Sequence, residues 1–126
     1  MIASYFYEFE QTISDFLMIE KQFVEKIRKD DEFGIIRGAL YFEYGIVDFI
    51  EVVRFVSGKF IKIKYKYHFM DNDNNLIFRY DNAKHHKDIN TFPHHKHTKN
   101  SILPSIEPDI FTILKEIQLY FKSKIK

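Results

Sequence analysis

The chain has 126 residues, of which 45% are hydrophobic and 17% aromatic, a composition that suits one folded domain and argues against a disordered protein. It contains no cysteine, which excludes disulfides, thiolate metal ligands and a cysteine nucleophile. The net charge is only +1, yet residues 1–58 carry six basic against eleven acidic side chains, whereas residues 59–99 carry nine against four.

The first predicted element is an amphipathic helix from Tyr5 to about Ile19, because its apolar side chains recur at helical spacing. The segment 21–29 suits either an extension of this helix or a first strand, and the charged turn after it favours the strand. Runs rich in β-branched and aromatic residues predict the strands that follow. These are residues 35–45, 46–56, 59–70 and 76–81.

The clearest strand is 59–70, where apolar or aromatic side chains alternate with basic ones at a period of two. The turn 71–75 joins it to the strand 76–81 in a hairpin. Regular patterning then stops for about 20 residues, a length at which loops are commonly functional. It resumes in 105–126, where Pro108 suits a first helical turn and the apolar residues form one helical face.

Together these elements predict an α+β fold for a single domain spanning residues 1–126. About five strands form an antiparallel meander sheet, and the N- and C-terminal helices pack on one of its faces. The absence of internal repeats and low-complexity linkers supports one unit.

The composition also indicates where the protein acts. No segment approaches the roughly 20 uninterrupted apolar residues of a membrane span. The first residues carry Glu8, Glu10 and Asp15 where a signal peptide would need a basic start. We therefore expect a soluble cytoplasmic protein without a membrane partner. Its basic middle segment suits a polyanion such as nucleic acid, and a solvated surface explains it equally well.

Three lysines of the strand 59–70, Lys62, Lys64 and Lys66, are expected on one strand face together with His68. Alternate residues of a strand lie about 7 Å apart, close to the phosphate spacing of a nucleic-acid strand. The lysines are therefore candidates for RNA binding. They could equally be solvent-facing residues that protect an edge strand from aggregation.

Glu51 shares its predicted strand face with apolar neighbours, and a carboxylate in such surroundings needs a partner. It could be a base, a metal ligand or the partner of an arginine such as Arg37, and we assign it a supporting role. The alternative is a partly covered face on which Glu51 reaches solvent.

The segment RYDNAKHHKDINTFPHHKH, residues 79–97, holds five of the six histidines, at positions 85, 86, 94, 95 and 97. With Asp81 and Asp88 they could form a zinc site, since zinc accepts imidazole and carboxylate ligands. In a strand, the two rings of His-x-His share one side while adjacent histidines diverge, so all five cannot converge. The segment also lacks the dense carboxylates of a magnesium-dependent nuclease. We therefore expect no metal cofactor, with zinc as the alternative.

The same residues suit metal-independent RNA cleavage, which needs a base for the 2′-hydroxyl, an acid for the leaving 5′-oxygen and a cation for the phosphate. Histidine titrates near neutrality, so a pair can fill both proton-transfer roles. Arg79 or a lysine can supply the cation, and Tyr80 could stack on a base or donate a proton. A polar surface loop that accumulated histidines by drift is the remaining alternative.

The stretch from Leu76 to His97 resembles the signature of the TumE family, the toxin components of TumE–TumA toxin–antitoxin pairs. Its members share a tyrosine-rich strand, RYDNA-x-HH, a short spacer and PHHKH. The resemblance extends from about Gly34, through a Gly-Arg strand and a strand with a central glutamate, to the C-terminal helix. Family members often have proline where this chain has Lys84, a difference that loosens the loop around His85.

This resemblance implies a small cytoplasmic toxin paired with a DNA-binding, helix-turn-helix-type antitoxin encoded nearby. It also makes ribonuclease activity, or another block of translation, plausible. The motif residues carried over position by position are Arg79, Tyr80, Asp81, Asn82, His85, His86, Pro93, His94, His95 and His97. A homodimer is among the oligomeric states that the sequence leaves open.

The first hypothesis is an RNA-directed toxin that acts as a metal-independent endoribonuclease. His95 and His97 are its predicted acid/base pair, with His86 in reserve. The residues expected to stabilise the phosphate or to orient the catalytic groups are Arg79, Lys96, Asp81 and Glu51. RNA contacts are expected from Lys62, Lys64, Lys66, Tyr80 and Lys96. Supporting roles are assigned to Glu51, Asn82, His85 and His94.

Two alternatives use the same features. In one, a non-catalytic module binds nucleic acid or the ribosome through the lysines, and the histidines only hold the loop in shape. In the other, the histidine segment is the metal centre of a zinc-dependent hydrolase.

Overall fold

The strands of this chain pair in the order in which they occur, and a helix lies at each end of the sequence. The computed structural model describes residues 1–125, in which the helices are α1 (Ile2–Ser14) and α2 (Ile110–Lys124). The strands are β1 (Lys21–Arg28), β2 (Phe33–Phe42), β3 (Gly45–Val56), β4 (Lys59–Met70), β5 (Leu76–Asp81), β6 (His95–His97) and β7 (Ile102–Pro104). All neighbours are antiparallel. The predicted α+β meander is confirmed, with seven strands instead of about five.

Both helices cover the same face of the sheet, which we call the closed face. Alternate residues of a strand point to opposite faces, so one set of side chains from each strand can enter the core. The helix residues in this core are Phe6, Phe9, Ile13, Ile113, Leu114 and Ile117. The strand residues that they meet include Ile36, Leu40, Val47, Phe49, Val53, Tyr67, Phe69 and Phe78. We call the opposite side the open face, because neither α1 nor α2 covers it.

α1 begins at Ile2, three residues before its predicted start, and both helices differ from their predicted bounds at the ends that join the sheet. α1 ends at Ser14 rather than near Ile19, because the chain turns to let the Glu20 N–H donate to the Tyr41 carbonyl at 2.8 Å. Beyond Ser14 the apolar spacing reflects burial only in part, since Phe16 lies in the core whereas Leu17 is 94% exposed. Pairing with the sheet edge thus overrides helical spacing.

Helix α2 begins at Ile110, two residues after Pro108. Asp109 is the N-cap, and its carboxylate accepts the Thr112 N–H at 2.8 Å. The Asp109 N–H donates in return to the Thr112 hydroxyl at 3.1 Å, completing a capping box. Pro108 therefore precedes the cap instead of lying in the first turn. Within the described residues, neither helix combines the length and apolar character needed to cross a bilayer.

The segment predicted as an irregular loop contains β6 and β7. β6 pairs with the end of β5 and sets His95 opposite Asp81 and His97 opposite Arg79. A three-residue strand is too short to show a period in the sequence, which explains why the prediction omitted it. The pairing of β6 with β5 brings His95 and His97 into the sheet.

Candidate active site

The strand register aligns two rows of side chains across the open face. Directly opposed residues of antiparallel strands point to the same face, with side chains about 5 Å apart. The first row is Ile50, Lys66, Asp81 and His95, and the second is Asp48, His68, Arg79 and His97. The two rows are neighbours, because their members lie two residues apart on each strand. A carboxylate, a guanidinium and two imidazoles therefore meet where β5 pairs with β6.

Asp81 lies at the centre of this group and is only 6% exposed. One of its oxygens is 2.8 Å from His95 Nε2 and accepts the Ala83 N–H at 3.0 Å. The other oxygen accepts from Arg79 Nε at 3.0 Å and lies 3.5 Å from His97 Nε2. The carboxylate thus contacts an arginine and two histidines at once.

His95 is held almost completely inside the protein, with 2% of its surface exposed. Its Nδ1–H donates to the Pro93 carbonyl at 2.9 Å, which sets the orientation of the ring. Its Nε2 faces the Asp81 carboxylate, but none of the described groups forms a directed hydrogen bond with that nitrogen. The short distance between Nε2 and the carboxylate therefore lies outside hydrogen-bond alignment.

The loop that follows β5 adds a third imidazole. His86 is half-buried, and its ring centroid lies 5.1 Å from that of His95 and 5.7 Å from that of His97. One ring nitrogen from each of the three residues lies within 4.8 Å of the others. We call these three residues the histidine cluster. The prediction that only a subset of the five rings converges is thereby supported by the geometry.

The remaining candidates of the loop lie outside the cluster. His85 is exposed, with its ring centroid 6.4 Å from that of His86, and Asp88 is exposed as well. His94 points away from its neighbour His95, and its Nδ1 is 2.8 Å from the Tyr65 hydroxyl. Adjacent histidines diverge as the alternation of a strand requires.

Arg79 influences the protonation state of His97. Its guanidinium donates to His97 Nε2 at 3.0 Å, which requires that this nitrogen carry no proton. Burial lowers the pKa of His97 below its ordinary value, and the positive charge of Arg79 lowers it further, while Asp81 opposes both effects. His97 is therefore a neutral imidazole at pH 7 with its lone pair directed toward the arginine.

The same contact bears on metal binding. Two nitrogens bound to a tetrahedral zinc ion lie roughly 3.4 Å apart, so the histidine cluster would have to contract. Arg79 would also have to withdraw from His97, since a guanidinium beside a ligand nitrogen repels a divalent cation. The three imidazoles of the cluster and the Asp81 carboxylate are suitable zinc ligands, but Arg79 occupies the space between them.

A cavity of about 700 Å³ opens onto the histidine cluster from the open face. Its lining includes Arg79, Asp81 and all three imidazoles of the cluster, and it extends along β3 and β4. The lining residues that the sequence prediction did not assign to the site are Ile50, Ile63, Tyr65, Ala83 and Lys84. The strand register identifies Ile50, because it stands in the same row as Asp81, but that register cannot be read from one strand alone.

Asn82 holds the loop against the sheet. Its side chain accepts the Tyr65 N–H at 3.0 Å and donates to the Ile63 carbonyl at 3.1 Å. The amide thereby replaces the strand pairing that ends at Asp81. Its supporting role is structural, since both ends of the side chain are engaged by the backbone of β4.

The lysines of β4 do not share one face, and that expectation is wrong. The pairing of β3 with β4 shifts between Val52 and Val53, so that Ile63 is left without a partner in a bulge. Lys64 and Lys66 are exposed on the open face. Lys62 instead points to the closed face, where its ammonium donates to the Tyr67 hydroxyl at 2.7 Å.

Glu51 is completely buried on the closed face, so neither solvent nor Arg37 is its partner. Its carboxylate accepts from the hydroxyls of Tyr5, at 2.5 Å, and Tyr67, and it lies 3.8 Å from Lys62 Nζ. Burial and the carboxylate raise the pKa of both tyrosines, and burial lowers the pKa of Lys62. Since the sheet separates Glu51 from the histidine cluster, it cannot orient a histidine there.

Tyr80 and Lys96 also lie on the closed face, opposite each other in the register. The Tyr80 hydroxyl donates to Glu116 at 2.5 Å, and the Lys96 ammonium pairs with the same carboxylate at 2.7 Å. The expected contacts of these two residues with RNA at the cluster are therefore wrong. Strand alternation alone places them opposite Asp81 and His95, so the sequence contained the signal.

The comparison with known protein families decides the identity of the chain. A family model described as "Toxin TumE" matches residues 10–121. The chain belongs to the TumE toxin family. No curated protein and no solved structure matches it.

The matched range contains β1 to β7, the histidine cluster, most of α2 and the C-terminal part of α1. The resemblance seen in the histidine segment is thus confirmed over most of the chain. Membership of the TumE family means that the protein is a toxin with an antitoxin partner. It does not specify what the toxin attacks, so the chemistry has to be argued from the site.

Proposed function

We propose that this TumE toxin is an endoribonuclease that cleaves RNA by histidine acid/base chemistry without a catalytic metal ion. The observation that carries the proposal is the convergence of three imidazoles, a guanidinium and a carboxylate at one cavity of about 700 Å³. Proton donors, proton acceptors and a fixed cation are the groups that a phosphodiester transfer requires.

The proposed reaction is an internal transfer of the phosphate. A base removes the proton of the 2′-hydroxyl, and the 2′-oxygen attacks the adjacent phosphorus. The bond from phosphorus to the 5′-oxygen breaks, and an acid delivers a proton to that oxygen. The products are a 2′,3′-cyclic phosphate and a free 5′-hydroxyl. Because the nucleophile belongs to the substrate, the reaction needs RNA and no activated water.

His97 suits the role of the base, because its Nε2 is unprotonated and the residue lines the cavity. Arg79 holds that nitrogen in the free protein and is itself one-third exposed. A substrate phosphate would draw the guanidinium away, which stabilises the phosphate charge and frees the lone pair of His97. One arginine thus serves as a placeholder before binding and as the cation during the reaction.

His86 suits the role of the acid, because His86 and His97 are the two cluster imidazoles that are not fully buried. The sequence prediction paired His97 with His95 instead. The burial of His95 leads us to propose that it positions the site together with Asp81, and that His86 takes the acid role. This assignment keeps every predicted histidine of the cluster in the site and changes which of them touches RNA.

A zinc-dependent hydrolase is the second candidate, and the unpartnered Nε2 of His95 favours it. Its Nδ1 donates to a backbone carbonyl, as metal-bound histidines commonly do. Stoichiometric zinc in purified, untagged protein would support this candidate. We place it second because Arg79 occupies the lone pair of His97.

We further propose that the toxin acts in the cytoplasm, where its RNA substrate is found, and that its antitoxin is of the helix-turn-helix type. Copurification with the product of the adjacent reading frame tests the partner. Light scattering of the purified toxin tests the homodimer that the sequence leaves open.

The decisive experiment compares three histidine variants in a buffer containing EDTA. His97→Ala and His86→Ala are each expected to lower the cleavage rate about 100-fold or more, the usual size of a lost acid or base. His68→Ala is the matched control, because His68 lies in the same row as His97 but does not line the cavity. Cleavage products that a polynucleotide kinase can label directly would show the 5′-hydroxyl. Full activity of both cluster variants would contradict the proposal.

A further inference from the structure

The half of the cavity that β3 and β4 form is lined by side chains that the proposed reaction does not use. Ile50 and Ile63 provide apolar surface there, and Lys64 and Lys66 provide two ammonium groups. Ile63 is 48% exposed, unusual for a residue in the middle of a long strand. We call Ile50 and Ile63 the apolar shelf.

The bulge in β4 creates this shelf. Ile63 is the extra residue between the pairs Val52–Lys64 and Val53–Lys62, so no strand neighbour lies opposite it. Its carbonyl accepts from the Asn82 side chain at 3.1 Å, which ties the bulge to the loop that carries His86. The shelf is therefore held at a fixed position relative to the catalytic groups.

The register gives its distance from them. Ile50 lies opposite Lys66, which lies opposite Asp81, so two strand spacings separate Ile50 from Asp81. Strands are about 4.8 Å apart, and the separation is roughly 10 Å. One nucleotide of an extended strand covers most of that distance, since neighbouring phosphates are about 7 Å apart.

The chemistry of this half of the cavity is that of a nucleotide. An apolar side chain can cover the flat face of a base, and an ammonium can neutralise the phosphate that follows it. Lys64 and Lys66 are alternate residues on the open face, so their spacing of about 7 Å matches consecutive phosphates. Neither isoleucine offers a hydrogen-bond donor or acceptor in its side chain, and the amide of Asn82 is already engaged.

We propose that the apolar shelf binds the nucleobase beside the scissile phosphate, and that the substrate is therefore single-stranded RNA, bound at this position without regard to base identity. A base in a duplex is stacked and paired, and it would have to leave the helix to cover the shelf. This inference rests on the proposed ribonuclease function and adds its substrate class. The two lysines hold the flanking phosphates.

The test uses a matched pair of isoleucines. Ile61 and Ile63 lie on the same strand and are 46% and 48% exposed, but only Ile63 lines the cavity. Ile63→Ala is expected to raise the KM for a mixed-sequence single-stranded RNA about tenfold with little change in kcat, as loss of a base contact does. Ile61→Ala should behave as wild type. Ile63→Phe, which adds stacking surface, should lower the KM.

A binding measurement separates this inference from the proposed reaction. Fluorescence anisotropy in the His97→Ala background, with RNA carrying a 2′-deoxy group at the cleavage site, reports affinity without cleavage. If the wild-type protein cuts no RNA, the proposed function fails. In that case, weaker RNA binding by Ile63→Ala but not by Ile61→Ala would still support base binding at the apolar shelf. If the toxin cuts RNA but Ile63→Ala and Ile61→Ala are indistinguishable, the shelf is wrong and the ribonuclease stands. Equal cleavage of the same RNA annealed to its complement would also overturn the inference.

Discussion

Each face of the sheet contains a buried carboxylate surrounded by polar side chains, and the two groups differ in how fully their hydrogen-bonding atoms are paired. On the closed face, the Glu51 carboxylate has two tyrosine hydroxyls and the Lys62 ammonium around it. On the open face, the Asp81 carboxylate has an arginine and two histidines around it. Both carboxylates are buried, at 0% and 6% exposure. The sequence therefore places one acidic residue at the centre of each group.

The difference lies in what the surrounding groups still lack. The tyrosine hydroxyls and the lysine of the closed face are directed at partners inside the core, so that group is complete without a ligand. On the open face, His95 Nε2 has no directed hydrogen bond among the described groups, and His97 and His86 border a cavity. A polar group whose atoms are all paired stabilises the fold. A polar group that has unpaired atoms and borders a cavity is a candidate for catalysis or binding.

The largest effects are expected from changing each carboxylate to its amide. Glu51→Gln should lower the free energy of unfolding by about 3 kcal/mol, because Lys62 loses its buried counter-charge and one tyrosine loses a charge-assisted acceptor. Asp81→Asn should lower RNA cleavage about 100-fold in protein that remains folded, since Arg79 and the histidines lose their common anchor. Chemical denaturation followed by circular dichroism, and cleavage per folded molecule, measure the two effects.

These two variants test whether the closed face is structural and the open face is catalytic. If Glu51→Gln abolishes cleavage at a temperature where it is folded, the closed face takes part in the reaction. If Asp81→Asn only lowers stability and leaves cleavage per folded molecule unchanged, the open face is structural as well.

A smaller effect is expected in the pH profile. The pKa of His97 is lowered from 6.5, so the base is neutral at pH 7 and cleavage should fall only as the pH drops through the lowered value. The folded state binds this proton less readily than the unfolded chain. The free energy of unfolding therefore also decreases as the pH falls from 6.5 through the lowered pKa of His97. Arg79→Met removes a positive charge, which should raise the pKa of His97 and move the acid limb to higher pH.

The control for the pH profile is Arg37→Met. Arg37 pairs with Glu25 at 2.5 Å on the far strands of the sheet, so its loss should leave the acid limb of the kcat/KM profile in place. An identical shift in both arginine variants would indicate a change of overall charge instead of a local contact. An unchanged limb in Arg79→Met would show that His97 is not the titrating base.

Much of the fold could be predicted because its elements are long. β4 has twelve residues with a regular alternation, and α2 presents a continuous apolar face, so local patterns identified both. β6 could not be recognised in the same way, since its three residues acquire their structure by pairing with β5. Long-range pairing, and not local propensity, placed His95 and His97 beside Asp81.

The errors in the predicted site have the same origin. The alternation of apolar and basic residues in β4 continues through Ile63. The bulge that turns Lys62 to the closed face therefore cannot be detected in the sequence. In the fold, Lys62 lies 3.8 Å from Glu51 of the neighbouring strand, a contact that local patterning does not reveal. The placement of Tyr80 and Lys96, by contrast, was available from alternation, because each lies between residues of the open face. His86 required the course of the loop, which Asn82 fixes through contacts distant in sequence.

The smallest expected effect separates two neighbouring lysines. Lys64→Met should weaken RNA binding a fewfold and reduce the slope of log affinity against log salt by about 1, because an exposed ammonium that contacts a phosphate is lost. Lys62→Met should leave that slope unchanged, since its ammonium is enclosed by Tyr67 and Glu51, and should alter the free energy of unfolding instead. Anisotropy titrations at several salt concentrations measure the first effect and chemical denaturation the second. A reduced salt slope in Lys62→Met would show that this lysine reaches RNA after all, and that the closed face is not closed to the substrate.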